Sequence, residues 1–308
     1  GSAAVTAATT DAAQEDLTVT GGNLVLQTES GSISVDGGDD TTGIGSTGNI
    51  LLQTQEAGET AESTVDANIT LKGLTASSGG SISVISADSI HQTFADNDDD
   101  ILDEDGDIRV SGGTGTIELY AADSITMADG TIAQTADGNI RLEAGSGSMA
   151  LSEIVAEGET GEQTISLIAG TSISDNDSSD AVDLTSTNLR IVAGSFAGTG
   201  SNHIETTVQT ITATTQSGGL YITESSAIEI DRLAQFTANR VASDGSAAVT
   251  AATTDAEHED LSITGGNLVL QTASGSISVD GGDDTTGIGA TGNILLQTKE
   301  TGETDDSA

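Results

Sequence analysis

Gly138-Asn139-Ile140-Arg141-Leu142-Glu143-Ala144 reads turn, polar, apolar, polar, apolar, polar, apolar. A two-residue period puts Ile140 and Leu142 on one side of an extended chain and Arg141 and Glu143 on the other, the pattern of a strand with one buried face. The stretch is one of many. Gly22-Asn-Leu-Val-Leu, Gly48-Asn-Ile-Leu-Leu, Gly80-Ser-Ile-Ser-Val, Gly106-Asp-Ile-Arg-Val and Gly115-Thr-Ile-Glu-Leu read the same way. So do Gln163-Thr-Ile-Ser-Leu, Thr187-Asn-Leu-Arg-Ile and Gly218-Gly-Leu-Tyr-Ile. Gly, Asn, Asp and Ser clusters separate them, the residues that make tight turns. No segment carries an i, i+3, i+4, i+7 stripe, so the chain is predicted to be all-β.

Composition narrows the architecture. The 308 residues include no Pro, Cys or Trp, and aromatics make up 2% (Phe94, Phe196, Phe236, Tyr120 and Tyr221). Pro is excluded from central strands, so its absence fits a fold in which nearly every strand is central. A core of small aliphatics must be narrow, because large aromatics supply the bulk of wide ones. Both features favour a parallel β-solenoid, in which each coil stacks on the last. The alternative is a string of tandem β-sandwich domains, which usually carry core aromatics.

A second, exact periodicity overlies the first. Residues 1–60 align without gaps to 245–304, with eight differences: Ala13/Glu257, Gln14/His258, Thr18/Ser262, Val19/Ile263, Glu29/Ala273, Ser46/Ala290, Gln55/Lys299 and Ala57/Thr301. Near-identity at long period marks a tandem array. Residues 1–244 are expected to be one unit and 245–308 the start of the next, continuous with the first. Coils of about 18–26 residues would give about 9–14 per unit. At about 4.8 Å per layer the unit would be about 45–65 Å long.

The formal net charge is −42. Phosphate recognition needs a basic surface, so nucleic acid is excluded as a partner. No apolar run is long enough to span a bilayer, so no membrane insertion is expected. The acidity suits mutual repulsion of long particles and the binding of hard divalent cations, which want several oxygens. The densest candidate Ca²⁺ loop holds Asp96, Asp98, Asp99, Asp100, Asp103, Asp105 and Asp107. Weaker candidates are Asp36, Asp39 and Asp40, their copies Asp280, Asp283 and Asp284, and the set Asp175, Asp177 and Asp180. Asp and Gly are also ordinary turn residues, and turn chemistry is the competing reading of these weaker sets. His91, His203 and His258 show no triad or ligand spacing and read as surface residues. No nucleophile, base and orienting group converge, so no enzyme is expected.

The repeats of residues 122–131, 138–144 and 204–215 resemble those of filamentous-haemagglutinin-like giant bacterial surface exoproteins and large repeat adhesins. The resemblance implies a right-handed β-helix, secretion to the bacterial cell surface, and a role in fibres or adhesion. It brings no catalytic residues. The expected function is a rigid acidic stalk whose partners are further copies of itself and a cell-surface or glycan target. The alternative is a ligand-binding adhesin module on sandwich domains.

Overall fold

The computed structural model describes residues 16–37, 42–56, 66–94, 106–158, 161–177, 179–282 and 286–299. Among these there is no helix. The strands form three parallel ladders. The first face runs from Leu17–Val19 through Thr42–Ser46, Leu74–Ser77, Ile108–Val110, Ile132–Thr135, Glu153–Ala156 and Leu184–Ser186 to Ile204–Thr207. The second face holds Leu24–Thr28, Ile50–Thr54, Ile82–Ser86, Ile117–Ala121, Ile140–Ala144, Thr164–Ala169, Asn188–Ala193 and Thr210–Thr215. The third runs from Ile33–Val35 to Phe196–Ala197. Consecutive rungs pair in parallel, as in Ile117 with Ile140 and Leu119 with Leu142. The inward residues of all three faces form one hydrophobic column. In the fifth rung these are Ala133, Ile140, Leu142, Ala144, Met149 and Leu151, all fully buried. Burying an Ile or Leu contributes about 1.5–3 kcal/mol, and the column needs no aromatic. The chain is therefore a parallel β-solenoid. The sandwich alternative fails because its sheets would be antiparallel.

In the second to fifth rungs a glycine (Gly48, Gly80, Gly115 and Gly138) precedes the second-face strand and allows close stacking. A Cβ on Gly138 would lie 2.0 Å from the carbonyl oxygen of Gly115, and one on Gly115 would lie 2.4 Å from that of Gly80. Only glycine lets successive coils approach this closely. The neighbouring Asn side chains bind the coils together. Asn23 Oδ1 accepts the Asn49 amide at 2.9 Å, and Asn49 Oδ1 accepts that of Ser81 at 2.8 Å.

The coils are less regular than the sequence spacing suggests, and two of them are longer. Equivalent positions lie 26 residues apart (Asn23, Asn49), then 32 (Asn49, Ser81), 35 (Ser81, Thr116) and later 25 (Asn139, Thr164). The second face holds eight rungs between Leu24–Thr28 and Thr210–Thr215. Eight layers at about 4.8 Å give about 38 Å for the described residues of the unit, where the sequence reading expects about 9–14 coils and about 45–65 Å. Part of the missing length leaves the ladders altogether. Phe236–Val241 and Ala247–Asp255 form an antiparallel hairpin that lies as a strap across the outside of the second face. Asn139 donates to the Thr237 carbonyl at 2.9 Å, Asn239 N–H to Thr116 Oγ1 at 2.9 Å and Val241 N–H to Ser83 Oγ at 2.9 Å. At the hairpin turn, Asn49 donates to the Gly245 carbonyl at 2.9 Å.

The strap buries side chains that alternation had assigned to the outside. Leu51, Ser83, Glu118, Arg141 and Ser166 all point outward from the second face, and all are buried. Two buried ion pairs fasten the strap. Arg240 Nε lies 2.9 and 3.0 Å from the two oxygens of Glu118, and Arg141 Nη2 lies 2.8 Å from Asp255 Oδ1. Ser166 donates to Asp255 Oδ2 at 2.8 Å and Ser83 to Glu118 Oε2 at 3.1 Å. Basic residues that are scattered in the sequence thus meet under one element.

The second copy restarts the same register. Leu17 pairs with Ile44 in the first copy and Leu261 with Ile288 in the second; Leu24 pairs with Ile50, and Leu268 with Ile294. The restart is shifted by half a side of the prism. Gly219–Glu224 continues the third face through Phe196 and Ala197, and the first face through Ile204–Thr206. Thr210–Thr215 divides the other way, its start pairing with Glu229 and Ile230 and its end with Leu261–Ile263. One corner flattens into a face while the middle of the second face becomes a corner.

Candidate functional site

The corner that flattens carries a buried cluster of acids. Strand Ile173–Asp175 ends the third face of the sixth rung and delivers Asp175. The turn that follows carries Asp177 and leads back to Asp183, which immediately precedes Leu184–Ser186 on the first face. Carboxylate oxygens of Asp175, Asp177 and Asp183 lie within 4.8 Å of one another. One coil later, Glu205 stacks beside Asp183: its amide donates to Asp183 Oδ2 at 2.9 Å, and the Asp183 amide donates to the Glu205 carbonyl at 2.9 Å.

The turn is held by its own side chains. The Asp177 amide donates to Asp175 Oδ1 at 2.9 Å, and Asn202 Nδ2 donates to the Asp177 carbonyl at 2.7 Å. Asp175, Asp183 and Glu205 are 7%, 4% and 7% exposed. Asp175 Oδ2 and Glu205 Oε2 are shielded from solvent and accept no hydrogen bond. Burial pushes the Asp183 carboxyl up to about 8 and that of Glu205 up to about 7; burial raises Asp175 as well. The neighbouring negative charges add to each shift, since like charges disfavour ionisation.

A groove of about 460 Å³ opens beside the cluster, lined by Asp180, His203, Glu205, Thr223, Gln271 and Lys299 among others. His203 is half-buried, with Nδ1 2.8 Å from Thr223 Oγ1, and burial holds it below the usual imidazole range. His258 is half-buried too, with Nε2 2.9 Å from Thr214 Oγ1. His91 is half-buried as well, so the surface reading of all three histidines needs correcting.

The other sequence candidates divide as follows. Asp96, Asp98, Asp99, Asp100, Asp103, Asp105, Asp39, Asp40, Asp283 and Asp284 lie outside the described residues. Asp107 is buried with both oxygens engaged, Oδ2 by Arg109 at 2.8 Å and Oδ1 by the Ile132 amide at 2.7 Å. Asp36 is exposed, 3.9 Å from Lys72 Nζ. Asp280 is exposed on a turn. Asp180 borders the groove rather than the buried cluster. Sequence reasoning found Asp175 and Asp177 but missed Asp183, which the same turn returns to them, and Glu205, which coil stacking brings in. Compared with protein-family models, with curated proteins and with solved structures, the chain matches none.

Proposed function

We propose that the chain is a structural segment of an extracellular fibre or adhesin stalk, an acidic rod lengthened in steps of one 244-residue unit. The observation that carries this reading is the restart at residue 261. The second copy reproduces the internal register of the first while stacked directly on its last coil. Units built this way join with no linker between them, which suits a rod and not a string of independent modules. A net charge of −42 keeps neighbouring rods apart. The resemblance to giant bacterial surface exoproteins supports the cell surface as the location.

Imaging of chains with one, two and three complete units by cryo-electron microscopy tests the reading. Straight particles that lengthen by about 38 Å per unit are expected, eight layers of about 4.8 Å each. Beads joined by flexible hinges, or a length that does not grow with unit number, would overturn it.

A further inference from the structure

We propose that Asp175, Asp177 and Asp183, with Glu205 stacked beside Asp183 on the next coil, form a site for one divalent cation of the Ca²⁺ class. This site is independent of the rod reading. Its argument rests on how this chain treats its other buried carboxylates. Glu118 is met by Arg240 and Ser83, and Asp255 by Arg141 and Ser166. Glu224 accepts from Thr206 and Val208 on one oxygen and from Ser226 on the other. Each of these acids is buried and each has its oxygens occupied, as burial of a charge requires. The corner cluster departs from that rule. Among the described residues no basic side chain is paired with Asp175, Asp183 or Glu205, and two nine-tenths-buried acids, Asp175 and Glu205, each leave an oxygen with no donor other than a neighbouring carboxyl. An unsatisfied buried oxygen calls for an explanation, and a bound ion is one.

The donor set selects the ion. It consists of carboxylate oxygens, with no sulfur and no imidazole within the group. All-oxygen sites suit hard cations rather than zinc or copper. Ca²⁺ takes 6–8 oxygens in flexible geometry, whereas Mg²⁺ demands a strict octahedron and keeps its water. A cluster assembled from a strand end, a turn and the next coil supplies irregular geometry. Glu205 also lines the adjoining groove, which gives an ion a route in. A cation here would tie the sixth, seventh and eighth rungs together just before their corner is flattened by Gly219–Glu224.

The test is calorimetric titration of chelator-treated 308-residue chain with CaCl₂ at pH 7.5, beside the variants Asp183→Asn, Glu205→Gln and Asp280→Asn. Other acidic turns can also take Ca²⁺, so the readout is the difference between variants. Asp183→Asn and Glu205→Gln should each weaken one binding event at least 10-fold, and Asp280→Asn should leave it unchanged. Hydrogen exchange on the unmutated chain covers the case in which a variant misfolds: Ca²⁺ should slow exchange in 173–186 and 204–207. Undiminished binding in both folded variants, or Ca²⁺ protection confined to other segments, would overturn the proposal. Absence of any Ca²⁺ binding would overturn it as well.

Discussion

Replacing Arg240 by Met should loosen the strap selectively. Glu118 is fully buried, and its two oxygens are held by Arg240 Nε at 2.9 and 3.0 Å and by Ser83 Oγ at 3.1 Å. Arg240→Met keeps most of the side-chain bulk but strands the carboxylate. Breaking a buried pair from one side costs about 3–5 kcal/mol. The Arg240 side chain is 25% exposed, which favours the lower end, about 3 kcal/mol. Lost contact with the Tyr120 ring, 5.7 Å away, is part of that cost. A change of about 3 kcal/mol is on the order of 100-fold in a local opening equilibrium. Global unfolding is a poor readout for a stacked array, which departs from two-state behaviour. Amide exchange resolved by segment is the appropriate assay. Protection across 236–255 should fall on the order of 100-fold, while Ile125–Met127 on the third face stays unchanged. Adding Glu118→Met should restore most of the protection, because an apolar pair of similar volume replaces a buried ion pair at little net cost. The reasoning is refuted if the single variant changes strap exchange by less than about 3-fold. It is equally refuted if the double variant is as loose as the two single effects added together.

Gly138→Ala should destabilise the fourth and fifth rungs, because the new Cβ would sit 2.0 Å from a backbone oxygen that cannot move without shifting a coil. Overpacking of this kind costs about 1–3 kcal/mol or more. Exchange in Ile117–Ala121 and Ile140–Ala144 reads it, with Gly289→Ala, whose Cβ meets nothing within 4 Å, as the neutral control. His258 gives a pH dependence. Burial, and secondarily the charge of Arg190, holds its pKa down to about 4 against 6.5 for the free side chain. The unfolded or detached form therefore binds the proton more readily. The stabilisation is complete above pH 6.5 and lost as pH falls through 4, with a ceiling of about 3 kcal/mol. Solvent contact of the half-buried ring reduces that figure. His258→Gln, the residue the first copy has at position 14, should flatten the pH 4–7 dependence of strap exchange relative to the parent chain.

The strands were legible because their physics is local. Ile140 and Leu142 alternate with Arg141 and Glu143 whichever coil lies above, and the preceding glycine marks the corner. Coil length was not legible. The segments between strands vary in length without disturbing the strand pattern, so 32- and 35-residue coils look like strands with long turns. Nor could alternation show that the second face is covered from outside. Glu118 and Arg141 occupy outward positions, and outward charges normally meet water. Their partners Arg240 and Asp255 lie 122 and 114 residues away, and nothing local announces such pairs. The acid cluster was half legible for the same reason. Asp175 and Asp177 share one turn, whereas Glu205 joins them only because a coil of irregular length returns it to the same corner.

The strap also accounts for the coexistence of a weak short repeat and a nearly exact long one. Inward positions accept Ile, Leu, Val, Met or Ala almost interchangeably, since the column asks only for aliphatic volume. Outward positions of the second face are not interchangeable. Alternate strap residues Thr237, Asn239 and Val241 meet the fifth, fourth and third rungs in turn, through Asn139, Thr116 and Ser83. Farther along, Arg240 requires Glu118, and Asp255 requires Arg141 and Ser166. Each coil beneath the strap therefore carries a different outward residue matched to a different strap residue. Exchanging two such coils would bury unpaired charge, at several kcal/mol each. The half-side shift adds a second asymmetry, because only the last coil has the long strand that merges two faces. A coil in this solenoid is thus defined by its place in the stack. The shortest element that can be copied without breaking a match is the whole strapped stack, and the sequence restarts 244 residues on, where that stack is complete.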